Sequence, residues 1–327
     1  MTDEILKVRL GGLRQKVHIK SGDESKPVLL FIHGGPGGPN RHLIMTKHTD
    51  LLDSFTLVAY DQRGCGGSFW GCKPKSLTLD RHVDDAGELA AYLCERFGKD
   101  KIFAVGGSWG SALGAGFAYR YPDLVAAFVG FGQVVNGAEN ERVSFEYTLA
   151  QAEKAGNQKD IAALKRVGPP VKGAYQHGVR GAMKQRDLLT KYGGYSPNNH
   201  DDSYFGHMVR EMLAAHEYSF GDLLGLLLGS IIVPLAMMDE ISDADLATHC
   251  PHFAVPYFIF HGVYDYNTPA PLVEPFLQKI TAPHKELVWF EHSGHNPMTD
   301  EPEQFESLLR EKLLRIAEAE REKGVRV

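Results

Sequence analysis

Two kinds of hydrophobic pattern alternate along this chain. Short, uninterrupted apolar runs occupy residues 28–32, 55–60 and 101–105, and each stops abruptly at a polar or glycine-rich turn. Runs of this length cut off by turns are what strands buried on both faces look like. Between the second and third, Leu79–Phe97 places Val83, Ala86, Leu89, Ala90, Leu93 and Phe97 at helical spacing, with Gly98 as a C-terminal stop. Strand, helix and strand in that order, at that length, predict parallel strands joined by crossover helices. A further strand is expected at 126–131. From about 133 to 250 the pattern turns helical, broken at Gly168-Pro169-Pro170 and at Gly193-Gly194-Tyr195-Ser196-Pro197. Strand runs then return at 256–260 and 286–290. A final helix is expected from 301 to about 323, with Phe305, Leu308, Leu309, Leu313 and Ile316 on one face. The expectation is an α/β core of residues 1–132 and 252–327, with a mostly parallel sheet flanked by helices, interrupted by a helical cap of residues 133–251.

Composition changes this picture little. At 327 residues, 43% hydrophobic and 23% charged, the chain reads as an ordinary globular protein. A formal net charge of −6 argues against binding nucleic acid, which needs a basic face. The longest nearly uncharged apolar stretch, 223–238, has 16 residues and contains Gly225, Gly229, Ser230 and Pro234. A membrane helix needs roughly 20 apolar residues, so this stretch is expected to be a buried or lid element. The start of the chain, with Asp3 and Glu4 and no apolar run, does not resemble a secretion leader, and a cytoplasmic, membrane-free protein is expected. Cys65, Cys72, Cys94 and Cys250 match no zinc spacing and are expected to be reduced; Cys65 reads as a small residue in a tight loop rather than a reactive thiol. No metal or organic cofactor is implied, and nothing indicates an oligomeric state.

Candidate chemistry gathers at the ends of the strand runs. Gly106-Gly107-Ser108-Trp109-Gly110 follows one strand and precedes a run of small helical residues. A sharp strand-to-helix turn of this kind pushes its middle side chain out, and the helix N-terminus behind it favours developing negative charge. Ser108 is the candidate nucleophile. A serine hydroxyl needs a base, and the base an orienting acid, in the chain order serine, acid, histidine. Asp265 lies just past the run at 256–260, and His295 in the loop after 286–290. Asp243 and Asp245 compete for the first role and His292 for the second. His295 is preferred because the Ser293-Gly294 turn carries it further out. His33-Gly34-Gly35-Pro36-Gly37-Gly38 is the candidate oxyanion loop. One N–H would come from Trp109 and one from Gly35, with Gly34 second; Pro36 has none to give.

Together with Asp61-Gln62-Arg63-Gly64-Cys65-Gly66-Gly67-Ser68, these blocks resemble the proline iminopeptidase family of α/β-hydrolases. The resemblance implies the α/β-hydrolase fold and release of an N-terminal residue, often proline, from short peptides. It also implies acidic cap side chains that hold the free α-amino group. Glu211, Glu217, Asp222 and Glu240 are the candidates, and Glu217 is preferred for its aromatic neighbourhood. The tryptophan-rich cap stretch of the proline-specific members has no counterpart, since Trp70, Trp109 and Trp289 all lie outside 133–250. Asp61 and Arg63 are read as a structural turn and ion-pair position. Two other readings stay open: an esterase or amidase with the same three residues, and a ligand-binding protein that turns over little. In each case the expected partner is a small molecule or short peptide.

Overall fold

The computed structural model of the protein describes residues 1–197 and 217–327. Eight strands form one sheet: β1 (Thr2–Leu10), β2 (Leu13–Ser21), β3 (Val28–Ile32), β4 (Thr56–Tyr60), β5 (Ile102–Gly107), β6 (Val125–Phe131), β7 (Tyr257–Gly262) and β8 (Lys285–Phe290), in the spatial order 1-2-4-3-5-6-7-8. β1 pairs antiparallel with β2, and β2 with β4; every later pairing is parallel. The chain moves from β3 outward to β4, then returns to lay β5 on the other side of β3. That reversal opens a crevice beyond the carboxyl ends of β3 and β5, the place where open α/β sheets bind ligands.

The first hairpin is absent from the expectations above. Its strands carry Asp3, Glu4, Lys7, Arg9, Arg14 and Lys16, and the outer strand alternates half-buried and exposed residues, so no apolar run marks them. Charged edge strands protect a sheet from pairing with other chains. Gly11 and Gly12 form the connection, both with positive φ (52° and 77°), a legible turn signal.

Both faces of the sheet are covered because side chains alternate along each strand. Leu30 and Ala104 point into a core shared with α2 (Leu79–Phe97) and α3 (Trp109–Arg120). Leu29, Phe31, Phe103 and Val105 point into the opposite core, shared with α1 (Arg41–Lys47) and the C-terminal helix. The leucine, valine and phenylalanine side chains among them each contribute roughly 1.5–3 kcal/mol relative to exposure. α2 starts at Thr78, whose hydroxyl accepts from Arg81 N–H, and ends at Gly98 in the left-handed conformation, as its spacing predicts.

Between β6 and β7 the described chain makes helices and no strand of the sheet: α4 (Gly137–Lys154), α5 (Gln158–Val167), α6 (Gly178–Lys191), α7 (Phe220–Ala236), α8 (Met238–Asp243) and α9 (Leu246–His249). Phe145, Ile161, Leu164, Val167, Tyr175 and Leu188 give this excursion a small core of its own. Its two stems are tied by Gly137 N–H to Ala244 O (2.8 Å) and Leu246 N–H to Val135 O (3.0 Å). The long apolar stretch forms most of α7. Gly225 and Gly229 let that helix press against the backbone of Gly64–Gly66, while Leu224, Leu227, Ile231 and Leu235 remain exposed. α7 is therefore only half buried. No described helix is long and apolar enough to cross a membrane. After β7 come α10 (Val273–Lys279), then α11 (Pro297–Asp300) and α12 (Pro302–Glu322), close to the final helix expected from the sequence.

Candidate active site

Ser108 caps β5 at the N-terminus of α3 with φ 54° and ψ −125°. Only Lys172 shares a positive φ among the described non-glycine residues. Holding a side-chain-bearing residue there costs on the order of 1–3 kcal/mol, a strain that clusters at functional sites. The neighbouring glycines make the turn possible. A Cβ on Gly106 would strike Gly110 O, one on Gly107 the Phe131 ring, and one on Gly110 the Ile32 carbonyl. The turn is locked by Ser108 N–H to Phe131 O (2.9 Å), and the Ser111 hydroxyl donates to Ser108 O (2.6 Å).

Asp265 and His295, from the loops after β7 and β8, meet: His295 Nδ1 lies 2.9 Å from Asp265 Oδ2, and both are buried. Asp265 Oδ1 accepts from the N–H groups of Asn267 (2.8 Å) and Thr268 (2.9 Å), and Oδ2 from the Thr268 hydroxyl (2.6 Å). Burial would raise this carboxyl, but His295, His261 and Thr268 outweigh it and hold it below the ordinary carboxylate range. His261 lies under the pair. Its Nδ1 accepts from Gln133 N–H (3.1 Å), so its Nε2–H donates to Thr268 O (3.0 Å), and burial keeps it neutral. Since a carboxylate only accepts, His295 carries its proton on Nδ1 and presents a lone pair at Nε2. The competitors lie elsewhere: His292 is exposed, Asp243 ends α8, and Asp245 caps α9.

The glycine-rich loop after β3 reaches Ser108 directly, since a Cβ on Gly34 would lie 3.1 Å from Ser108 Cβ. Gly35 follows with φ 118° and is joined to Pro36 by a cis peptide bond. Trp109 opens α3, so its N–H has no intrahelical acceptor and is available at the site. One side chain ties these pieces together. Gln62 donates from Nε2 to His33 O (2.7 Å), receives Trp109 Nε1–H on Oε1 (3.1 Å), and its backbone N–H donates to His33 Nε2 (3.0 Å). His33 Nδ1–H donates to Gly34 O (2.8 Å), and burial pushes this imidazole down to about 4. The three sequence motifs thus form one hydrogen-bonded unit.

Asp61 and Arg63 take structural roles. Asp61 pairs with Arg41 (3.0 Å) and accepts Gly67 N–H, while Arg63 forks onto Asp85 at 2.8 and 2.9 Å. Cys65 is buried, which raises its thiol well above the ordinary range and leaves it unreactive. Of the acidic candidates, Glu240 accepts Leu79 N–H at the start of α2, and Asp222 pairs with Lys16 (2.5 Å) while capping α7. Glu217 Oε2 faces His18 Nδ1 at 3.3 Å. Glu211 lies outside the described residues.

Sequence reasoning missed Thr268, Asn267 and Gln62, each beside a residue it did single out. It also missed a grip from the excursion. Tyr266 N–H donates to Gly194 O (2.8 Å) and His295 N–H to Tyr195 O (2.7 Å), while the Tyr147 ring stacks on Tyr266 at 3.6 Å. One short segment thereby holds both the acid loop and the base loop.

Known proteins share this fold. Over 303 residues the chain is 29% identical to the Probable aminopeptidase YbaC of Bacillus subtilis, covering 92% of this chain and 93% of that protein. A proline iminopeptidase of Thermoplasma volcanium is 34% identical over 115 residues, 35% of this chain and 37% of that one. Among solved structures, a proline iminopeptidase-related protein from Thermus thermophilus is similar in fold, with a TM-score of 0.67 at 22% identity over 97% of this chain and 99% of that one. The family profile described as the alpha/beta hydrolase fold matches residues 27–302, and the chain belongs to the α/β-hydrolase fold family.

Proposed function

We propose that this protein is a serine hydrolase that removes the N-terminal residue, proline or another small or apolar one, from short peptides. Ser108 Oγ attacks the scissile carbonyl while His295 Nε2 takes its proton, and the buried Asp265 carboxylate stabilises the imidazolium that results. The N–H groups of Trp109 and Gly35, with Gly34 as the alternative to Gly35, receive the oxyanion. His295 returns the proton to the leaving amine, and water then releases the acyl group from Ser108. Residues 133–251 act as a cap over the crevice. Glu240 and Asp222 are committed elsewhere, so Glu211 and Glu217, the latter in exchange for its contact with His18, are the proposed anchors for the substrate ammonium, which needs a carboxylate partner when partly desolvated.

The observation that supports the mechanism most is the Asp265–His295 bond of 2.9 Å, in a fold that holds Ser108 at φ 54° in its elbow. The substrate class rests on the full-length likeness to a probable aminopeptidase. Amino-acid arylamides, their N-acylated counterparts and short acyl esters separate the readings. Turnover of the free-amine substrates alone is expected; equal turnover of blocked peptides contradicts the aminopeptidase, and turnover of esters alone favours the esterase. Glu217→Gln should raise KM for free-amine substrates with little change in kcat.

A further inference from the structure

Asn267 stands two residues beyond Asp265, and its backbone is already fixed by that carboxylate. Its side-chain Nδ2 lies 3.0 Å from His295 Nε2. With the imidazole proton held on Nδ1 by Asp265, the atom facing Asn267 is the bare lone pair, and the carboxamide N–H donates to it. That lone pair is the one a serine hydroxyl must use. The other end of the same carboxamide, Oδ1, is buried without a hydrogen-bond partner. We propose that Asn267 is a positioning residue that caps the base: in the substrate-free site it occupies His295 Nε2, and Ser108 gains the base only when the carboxamide turns away. The unsatisfied Oδ1 supplies a reason to turn, because a bound substrate with an N–H donor offers it the bond it lacks. This inference rests on the reading of Ser108 and His295 as nucleophile and base.

The groups facing His295 from the other packed elements are Asp265 and His261 from β7 and its loop, Asp300 from α11, and the Tyr195 ring at 5.2 Å from the excursion. Among the described residues the hydrogen bond at Nε2 comes from the Asn267 carboxamide, so changes at Asn267 address that atom directly.

The test is the second-order rate at which a small fluorophosphonate labels the purified protein, followed from pH 5 to 9. Asn267→Ala removes the cap, and labelling is expected to speed up by about two- to ten-fold, the worth of one ordinary hydrogen bond. Asn267→Asp sets a carboxylate against Nε2 and favours the charged ring. Its labelling at pH 6 is expected to fall by roughly ten-fold or more, with the acid limb of the profile moved to higher pH. Thermal melting of both variants identifies loss of fold, and the Asp variant keeps the side-chain volume should Ala destabilise the loop. An unchanged or slower rate in a folded Asn267→Ala protein, or an unmoved acid limb in Asn267→Asp, overturns the proposal. If the unmodified protein is not labelled at Ser108 at all, the assignment of the nucleophile fails first and this inference falls with it.

Discussion

Asp265→Asn is the most informative single change, because the structure dictates which way the new carboxamide must face. Oδ1 of Asp265 receives two backbone N–H groups, from Asn267 and Thr268, that cannot rotate away. The amide oxygen must stay there, which puts the NH2 where Oδ2 was. The Thr268 hydroxyl adapts by turning its lone pair toward it, but His295 Nδ1, 2.9 Å away, now meets a donor. The imidazole responds by carrying its proton on Nε2, where it can no longer accept one from Ser108. Losing the charge-assisted bond to the imidazolium costs about 1.5–3 kcal/mol. Holding the ring in the unproductive tautomer adds a cost taken as comparable. At 1.36 kcal/mol per decade, a barrier raised by about 3–6 kcal/mol lowers kcat by two to four powers of ten. KM should change little, since Asp265 does not touch substrate. Both backbone donors keep their acceptor, so the variant should melt within about 5 °C of the parent. Initial rates on an amino-acid arylamide, read beside a thermal melt, provide the assay. A kcat within ten-fold of the parent, in a protein with unchanged melting, would refute this account of the base.

Three further outcomes follow from named contacts. Gln62→Leu removes the bridge between His33 O and Trp109 Nε1, loosening both sides of the proposed oxyanion site; kcat should drop by roughly 10- to 100-fold, and a drop confined to KM would contradict the role. Gly110→Ala drives a methyl into the Ile32 carbonyl of β3, where backbone has no room to yield; urea unfolding should show a loss of about 1–3 kcal/mol or more, and an unchanged midpoint would mean that the elbow is looser than described. His33 titrates at about 4 when folded and at 6.5 when unfolded, so the unfolded chain takes up a proton across that window while the folded chain does not. Its stabilising contribution is complete above pH 6.5 and is lost as pH falls toward 4, on the order of 3 kcal/mol. Urea midpoints measured from pH 7 to 4 should fall less steeply in His33→Gln, and identical slopes would contradict a neutral buried imidazole.

What could be read in advance follows the range of the interactions involved. The apolar runs at β3–β8 and the spacing of α2 are local signals, and they appear in the structure within a residue or two. The elbow is local as well, since its glycines and small helical residues carry their own steric reason. Asp265 and His295 were legible as loop residues past strand ends, and the Ser293-Gly294 turn favoured His295 over His292; the fold exposes His292 and buries His295 against the carboxylate. The partners of the second motif were hidden for the same reason. Arg41 reaches Asp61, and Asp85 reaches Arg63, across 20 and 22 residues, through a strand order that no window along the chain encodes. The hairpin escaped because the edge strand β1 trades hydrophobicity for charge and the interior strand β2 alternates apolar with polar residues, so neither makes a continuous apolar run, although Gly11-Gly12 announced the turn. Glu240 looked like a free cap carboxylate until the start of α2 proved to be its partner. The hydrogen bonds from Gly194 and Tyr195 to the loops of Asp265 and His295 use backbone atoms, and those leave no trace in residue identity.

Site-resolved labelling tests the central claim most directly. After exposure to a fluorophosphonate, peptide mass spectrometry should find a single adduct on Ser108, absent in Ser108→Ala and formed at least a hundred-fold more slowly in His295→Ala, in keeping with the part a positioned base plays. An adduct on another serine, or labelling of Ser108 that proceeds at the parent rate without His295, would contradict it.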